Sequence, residues 1–267
     1  MTIHASAIVD PGAQLGSGVE VGPYAVIGRD VIVGDNTVVQ AHSIIDGVVQ
    51  IGRENVIGFG AVIGAPPQDL SFKPSTRSSV VVGDRNTIRE YCTIHRGTAE
   101  GSSTTVGNDN FFMVGVHLGH NCAVRNNVII ANDSMLGGYV QIGDRAFIGG
   151  NCVFHQFMRV GRLAITQGMS GYSKDIPPFL IGAGVNTVAG LNVVGLRRAG
   201  FSLAERNEVK RAFNLLYKSG LNTRQALERA ANESSPLMRE FFDFIAQAGK
   251  RGIVPYRSAP NESAETE

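Results

Sequence analysis

The sequence of 267 residues contains no tryptophan, only three cysteines and few charged side chains. Charged residues make up 18% of the chain, whereas an average soluble protein has roughly 25%. Lysine and arginine (24 in total) nearly balance aspartate and glutamate (23). This composition excludes an intrinsically disordered protein and a polybasic nucleic-acid-binding protein, so no nucleic-acid partner is expected.

Targeting and membrane-spanning segments are also missing from the sequence. Met1 is followed by a patterned segment, without the basic and apolar regions of a secretory signal peptide. The most apolar run, residues 179 to 196, is interrupted by glycines, asparagines and a threonine, which makes it a poor membrane span. The three cysteines include no CxxC motif or Cys/His cluster, so a disulfide framework and a structural zinc site are not predicted. We therefore expect a cytoplasmic protein in a reducing compartment, without stable membrane insertion.

Glycine, by contrast, is abundant, with 33 residues, and many of them follow a six-residue period. Every sixth residue from Ile3 to Ile63 is isoleucine, leucine or valine, in eleven positions out of eleven, and seven of these residues precede a glycine. A second block, in a frame shifted by one, runs from Val82 to Val160. A period of six matches neither a helix nor simple strand alternation, so each repeat is predicted to be a short strand and a bend. Such coils stack with their apolar columns inside.

The repeat predicts a first domain over residues 1 to 192. Loops are expected at about 65 to 79, where the frame breaks, and at about 97 to 105, where the chain is polar.

A second, helical domain is predicted over residues 193 to 252, where the six-residue period ends. Ser202 and Glu205 form a capping-box motif that opens its longest helix, and two shorter helices follow. This segment has 11 Lys+Arg and 6 Asp+Glu, a net charge of +5. Its surface is therefore either simply solvated or a docking site for an acidic partner. Residues 253 to 267 are expected to form a disordered tail.

The hexad of an aliphatic residue, a glycine, two variable residues and a small residue resembles the repeat of the hexapeptide acyltransferases. The resemblance implies a mainly β protein, a left-handed parallel β-helix in which three hexads form one triangular coil of 18 residues, followed by the C-terminal α-helical domain. Cys92, Cys122 and Cys152 all occupy the small inward position. Their spacing of 30 residues puts successive cysteines on different faces of such a prism, so they are interpreted as small buried side chains and not as metal ligands.

The 18-residue coil brings separate polar segments together on one face. His120, Gly138 and Gln156 fall in one vertical column, and Asn121 lies directly below Tyr139. Backbone amides exposed at glycine, beside a histidine that takes a proton near neutral pH, favour an acyl-transfer site.

Six motifs in order make the resemblance closer. The chain is similar, over about residues 1 to 250, to the UDP-N-acetylglucosamine acyltransferases, which catalyse the first step of lipid A biosynthesis. The motifs are the segments 67–70 (PQDL), 94–98 (IHRGT), 117–122 (HLGHNC), 153–157 (VFHQF), 176–178 (IPP) and 195–198 (GLRR). The family implies a homotrimer with sites between neighbouring prisms, acyl carrier protein as acyl donor, and transfer of an R-3-hydroxyacyl chain to the 3-hydroxyl of a UDP-sugar nucleotide. It calls for no cofactor and no metal.

The resemblance also implies roles for individual residues. His120 would be the general base, the amide of Gly138 would stabilise the oxyanion, and Asn121 stands where the family has an aspartate that orients the base. Gly168 matches the position that sets acyl-chain length, and its missing side chain suggests that a long chain is allowed. Contacts to the nucleotide sugar would come from Asp69, His117, His155, Gln156, Asn192 and Arg198. The basic helices would meet the acidic acyl carrier protein.

Three departures from the family pattern keep alternatives open. Besides Asn121, Tyr139 replaces a usual histidine, and Ser71 stands where the loop usually has a lysine. A weaker base would matter less to an amine nucleophile, so transfer to the 3-amino group of a UDP-3-amino sugar is one alternative. A γ-type carbonic anhydrase, built on the same prism with histidines holding a metal, is another. A non-enzymatic prism would instead be expected to show a ladder of repeated small polar residues on one face.

Overall fold

The computed structural model describes residues 1 to 231, residue 233 and residues 235 to 257. Its main body is a left-handed parallel β-helix in which every third strand belongs to the same sheet. Sheet A has eleven strands, sheet B nine and sheet C eight, and the three sheets form the walls of a triangular prism.

The strands are short because each one occupies only part of a hexad before the chain bends. In chain order they are β1 Thr2–Ile3, β2 Ile8–Val9, β3 Gln14–Leu15, β4 Glu20–Val21, β5 Val26–Ile27, β6 Val31–Val33, β7 Val38–Val39, β8 Ile44–Ile45, β9 Val48–Ile51, β10 Val56–Ile57, β11 Val62–Ala65, β12 Ser79–Val82, β13 Thr87–Ile88, β14 Thr93–His95, β15 Ser103–Val106, β16 Phe111–Phe112, β17 His117–Leu118, β18 Ala123–Val124, β19 Ile129–Ile130, β20 Met135–Leu136, β21 Gln141–Ile142, β22 Phe147–Ile148, β23 Val153–Phe154, β24 Arg159–Val160, β25 Ile165–Thr166, β26 Gly171–Tyr172, β27 Leu180–Ala183 and β28 Thr187–Leu191.

The core of the prism consists of the inward columns that the hexad predicts. From Val21 onward the in-frame aliphatic residues of the first block are buried, whereas Ile3, in the first coil, is 42% exposed because only one side of that coil is covered. Polar side chains in the small column satisfy one another. Asn86 donates to Oδ1 of Asn55 (3.0 Å), and Asn110 donates to Oδ1 of Asn86 (2.9 Å), which builds a buried amide ladder.

Strand register measures the length of each coil and locates the loops. Most paired strands are offset by 18 residues, as in Thr2 opposite Glu20. Ser79 pairs with Val48, an offset of 31, and Ser103 pairs with Ser79, an offset of 24. The two coils therefore carry 13 and 6 extra residues. The second loop is shorter than the predicted stretch of 97 to 105, because residues 103 to 105 belong to β15 and pair with β12.

The far end of the prism departs from the regular winding. Ile165 pairs with Ile181, an offset of only 16 residues, and β28 then runs antiparallel to β27. This antiparallel hairpin, which the six-residue period does not predict, ends sheet A and leads the chain into the helices.

Four helices follow, and side-chain caps determine where they begin. They are α1 Val193–Arg198, α2 Leu203–Tyr217, α3 Thr223–Ala230 and α4 Pro236–Ala246. The predicted capping box of Ser202 and Glu205 is present at the start of α2, and Asn222 forms a second one at α3. Ser235 caps α4, and Pro236 takes its first position, where a missing N–H costs nothing.

Ion pairs attach the helical domain to the prism. The side chain of Arg159 pairs with Asp175 (2.7 Å) and also donates to the carbonyl of Phe244 in α4 (2.8 Å). Residues 253 to 257 differ from the tail expected at 253 to 267, because Ile253 pairs with Asp175 and Tyr256 with Val188. The rest of that expected tail, residues 258 to 267, lies outside the described residues.

None of the helices that the structure describes has both the length and the apolar character needed to cross a membrane.

Candidate active site

One edge of the prism, where sheet B turns into sheet C, carries most of the predicted site residues. On three successive coils this edge consists of the turns 119–122, 137–140 and 155–158. The two inserted loops, 66–78 and 96–102, project from the two preceding coils of the same edge. Insertions and turns are therefore stacked, and the loops lie beside the turn that contains His120.

Gly138 lies against the imidazole of His120 on the next coil. A Cβ added at Gly138 would be 2.3 Å from Cε1 and 2.5 Å from Nε2 of that ring. Backbone bonds hold the turns in register, because the N–H of Tyr139 donates to the carbonyl of His120 (2.9 Å) and that of Phe157 donates to Gly138 (2.9 Å). The structure thus has the stacking that the 18-residue coil predicts, and the ring occupies the space that any other residue at 138 would need.

The backbone amide of Gly138 is a donor without a partner. The residue is buried, yet its N–H has no acceptor among the described residues. A buried, unpaired N–H is rare in proteins and costs free energy, so it is available to an incoming oxygen atom.

Asn121 holds the other side of the His120 ring. Its Oδ1 is 3.1 Å from Nδ1 of His120, and its backbone has φ of 60°, a left-handed conformation that asparagine adopts more readily than most residues. Tyr139, one coil further, meets the ring of His120 edge-on, with centroids 5.4 Å apart, and stacks on Phe157 at 4.8 Å. The imidazole is therefore confined from several sides.

His117 lies near the base but differs from it in protonation. It is half-buried, its Nδ1 is 2.7 Å from Oγ1 of Thr93, and its ring meets His95 edge-on at 5.2 Å. Burial, reinforced by the neighbouring His95, lowers the pKa of His117 to about 4. His95 in turn donates from Nδ1 to the carbonyl of Pro66 (2.6 Å), which links the first loop to this group.

Asp69 is carried by the first loop. Its carboxylate accepts from the N–H (2.8 Å) and the hydroxyl (2.7 Å) of Ser71. The hydrogen bonds from Ser71 lower the pKa of Asp69, and the nearby His120 contributes in the same direction, so the carboxylate is ionised and within electrostatic reach of the base.

His155 and Gln156 are exposed in the third turn of this edge. A residue that no sequence motif singled out, Arg251, contacts Nδ1 of His155 and donates to the carbonyl of Gln156 (3.4 Å). It lies 96 residues away from His155 along the chain and follows the last helix, so no local pattern connects it with this edge.

Three predicted binding residues lie elsewhere in the chain. Gly168 is exposed in the turn between β25 of sheet A and β26 of sheet B, at a different edge from His120. The side chain of Asn192 caps α1, accepting from the N–H of Gly195 (2.9 Å) and donating to the carbonyl of Leu163 (2.9 Å). Arg198 is exposed in the last turn of α1.

The cysteines are all buried, and each thiol donates to a backbone carbonyl. Burial raises the pKa of Cys92 and of Cys122 to about 12, so neither is a nucleophile at neutral pH. In the part of the chain that the structure describes, no group of three or more His, Cys, Asp or Glu side chains could hold a metal ion.

Comparison with known proteins places this geometry in a family. Residues 175–254 match the model of the second domain of UDP-N-acetylglucosamine O-acyltransferases. The chain is 44% identical, over 94% of its length and 98% of the other, to an acyl-[acyl-carrier-protein]–UDP-N-acetylglucosamine O-acyltransferase of Paraburkholderia xenovorans. This chain belongs to the UDP-N-acetylglucosamine O-acyltransferase family. It is therefore an acyltransferase, and the γ-type carbonic anhydrase alternative was wrong.

Solved structures of UDP-N-acetylglucosamine acyltransferases have the same fold. The enzyme from Bacteroides fragilis is 42% identical, with a TM-score of 0.89 over 95% of this chain and 100% of the other. The enzyme from Francisella novicida is 37% identical, with a TM-score of 0.91 over 97% of this chain and 95% of the other. The expected family and its left-handed parallel β-helix are thus confirmed over nearly the whole chain.

Proposed function

We propose that this chain transfers an R-3-hydroxyacyl group from acyl carrier protein to the 3-hydroxyl of UDP-N-acetylglucosamine, with His120 as the general base. The names of its relatives identify the two substrates. The observation that carries the assignment of His120 is its position between the oxygen of Asn121 and the unpaired amide of Gly138.

The proposed reaction needs one base and one oxyanion donor. When Nδ1–H of His120 donates to Oδ1 of Asn121, the lone pair of Nε2 is free. Nε2 takes the proton of the sugar hydroxyl as that oxygen forms a bond to the thioester carbonyl carbon. The carbonyl oxygen becomes negative and accepts the N–H of Gly138. The carbon–sulfur bond then breaks, and the leaving thiolate takes the proton back from His120.

The nucleotide sugar is proposed to bind along the same edge. Neutral His117 offers a hydrogen-bonding ring without charge, and Asp69 supplies an ionised acceptor from the loop. His155 and Gln156, on the next coil, extend this polar surface by one turn.

The acidic acyl carrier protein is proposed to dock on the basic helical domain. A groove of about 480 Å³ runs along α2, with Arg206, Lys210 and Lys218 among its lining residues and the aromatic rings of Phe213 and Tyr256 beside them. Cations around an apolar floor suit a partner with acidic side chains.

A homotrimer is proposed because the predicted binding residues occupy two edges of one chain. Gly168, in the turn between sheets A and B, could meet an acyl chain bound at His120 only if another prism lies alongside. Asn192 and Arg198 follow the last strand of sheet A and would join the same shared site. A closed cyclic assembly forms three such sites at once.

The test is a product assay with acyl carrier protein that carries several acyl lengths, using wild type, His120→Ala and His4→Ala. We expect His120→Ala to lose about 10²- to 10⁴-fold in turnover, the usual contribution of a general base. His4, exposed at the opposite end of the prism, is the matched control and should not matter. Unchanged turnover in His120→Ala would reject the assignment of the base.

The acceptor atom is tested in the same assay. The relatives are named O-acyltransferases, which favours the hydroxyl, whereas the uncharged Asn121 behind the base is compatible with an amine that needs less activation. A 3-amino analogue of the sugar nucleotide distinguishes them. Efficient ester formation without amide formation supports the hydroxyl, and the reverse result supports the 3-amino sugar.

A further inference from the structure

The orientation of the Asn121 side chain decides which nitrogen of His120 carries the proton. If the amide oxygen faces Nδ1, that nitrogen must donate, and Nε2 has a free lone pair. If the amide NH₂ group faced Nδ1, that nitrogen would accept, and Nε2 would hold the proton. A carboxylate at this position would present oxygen in either orientation, so an asparagine requires something further to select the oxygen.

Thr98, in the loop between β14 and β15, supplies that selection. Its backbone N–H lies 3.1 Å from Oδ1 of Asn121, and its hydroxyl Oγ1 lies 3.1 Å from the same atom. A backbone N–H can only donate, so the atom that it faces must be the oxygen. Exchange of the amide groups would bring NH₂ against N–H and lose both bonds.

Tyr139 fixes the direction of the Thr98 hydroxyl. Its Oη lies 3.1 Å from Oγ1 of Thr98. A threonine hydroxyl has one hydrogen, and the amide oxygen of Asn121 can only accept. Both contacts are satisfied only when Thr98 donates to Asn121 and Tyr139 donates to Thr98. The ring of Tyr139 is itself held by its stack on Phe157.

The backbone of Asn121 is held as well. Its N–H donates to Oγ1 of Thr104 (2.7 Å), whose hydroxyl donates to the carbonyl of His95 (2.6 Å). The amide plane therefore has little freedom to turn away from the loop.

We propose that Thr98, supported by Tyr139, is a positioning residue that selects the Nδ1–H tautomer of His120 by holding Oδ1 of Asn121 toward the ring. The proposal rests on the function proposed above, in which His120 is the general base. Thr98 contacts neither substrate in this proposal and acts entirely through Asn121.

The first test compares Thr98→Val, which removes the hydroxyl but keeps the shape and the backbone N–H, with Thr98→Ser, which keeps both donors. We expect kcat of Thr98→Val to fall at least about tenfold, and by less than the roughly 10⁴-fold that the wrong tautomer costs a serine protease. KM for the nucleotide sugar should stay unchanged, and Thr98→Ser should retain wild-type kcat. Wild-type kcat in Thr98→Val, or an equal loss in both variants, would overturn the proposal.

A second background separates orientation from packing. In Asn121→Asp either carboxylate oxygen can accept from His120, so adding Thr98→Val should lower kcat by less than about twofold. A merely structural role of Thr98 would give the same loss in both backgrounds. Tyr139→Phe, which removes only the terminal donor, should lower kcat by about fivefold, the equivalent of one neutral hydrogen bond.

Nitrogen NMR of the His120 ring measures the tautomer without turnover. We expect the proton on Nδ1 in wild type and Thr98→Ser, and a population with the proton on Nε2 in Thr98→Val. An unchanged tautomer would overturn the proposal even if activity fell. If His120→Ala proved fully active, the proposed function would fail, while the NMR result would still decide whether Thr98 sets the tautomer.

Discussion

At the scale of single residues, the site depends on close approach between backbone and ring. Gly138 has no side chain because the imidazole of His120 fills the place where one would begin. The same approach aligns the free N–H of Gly138 with the nitrogen that receives the proton. One missing Cβ therefore serves both the base and the oxyanion donor.

Gly138→Ala tests this close approach. The added methyl group would be 2.3 Å from Cε1 of His120, so the ring must move. We expect kcat to fall by about 10²-fold or more, because a displaced base loses its alignment with the reacting atoms. Gly249→Ala is the control, since a Cβ there meets nothing within 4 Å. Full activity of Gly138→Ala in the product assay would contradict the geometry.

The protonation of His117 predicts a pH dependence of stability. Its folded pKa of about 4 lies below the usual 6.5, so between these values the unfolded chain binds a proton that the folded chain does not. The free energy of unfolding should therefore decrease as the pH falls from about 6.5 to about 4 and then level off. Since His117 is only partly buried, the effect should be about 1–2 kcal/mol.

Denaturant unfolding at pH 4 to 7 measures this effect. His117→Gln keeps a polar side chain that does not titrate, so its unfolding free energy should vary less with pH than that of the wild type. Identical pH profiles for the two proteins would show that another group is responsible.

At the scale of elements, the junction between sheet C and α4 depends on a buried ion pair. Asp175 accepts from both the backbone N–H and the guanidinium of Arg159, and the same guanidinium reaches the carbonyl of Phe244. The ring of Phe244 packs 4.2 Å from Arg159 Cζ. Loss of either charge leaves the other one buried without a partner.

Asp175→Ala should lower the free energy of unfolding by about 3 kcal/mol. Arg159→Leu combined with Asp175→Leu should cost less, because no unpaired charge remains. The exposed pair of Arg224 and Glu228 in α3 is the control, and Glu228→Ala should cost about 0.5 kcal/mol or less. Denaturant titrations at one fixed protein concentration measure all three values. Equal costs at the two sites would show that burial does not strengthen the dependence of each charge on its partner.

The elements also show which local patterns were sufficient for prediction. The capping box at Ser202 and the Ser235-Pro236 start of α4 correctly predict two helix beginnings, because caps act over a few neighbouring residues. The antiparallel strand β28 was not predicted, since its direction depends on how the last coil ends and not on a sequence period.

At the scale of the whole molecule, the proposed trimer predicts complementation between two inactive variants. His120→Ala and Arg198→Ala remove residues that lie at different edges of one chain. Coexpressed in equal amounts, they would form mixed trimers in which about one quarter of the shared sites combine an intact His120 with an intact Arg198 from a neighbour. We expect activity near that fraction of wild type.

Mixing the two variants after separate purification, without subunit exchange, is the control and should restore nothing. If coexpression also restores nothing although light scattering shows mixed trimers, each site is contained within one chain. The trimer itself would be rejected by a monomeric mass in the same measurement.

The sequence alone determined the prism and the vertical neighbours within it. A six-residue period is repeated with nearly constant register, so adding 18 to a residue number finds the residue on the next coil, as with His120 and Gly138. Prediction at this level succeeds because backbone pairing imposes the same geometry on every coil.

The tertiary structure decided what the irregular segments do. The paths of the two loops follow no period, so only their folded form shows that Thr98 meets Asn121 and that Pro66 meets His95. Arg251 reaches His155 across 96 residues for the same reason. Such contacts depend on the packing of the whole chain, which local patterns do not encode, whereas the repeating strands carry their register in every hexad.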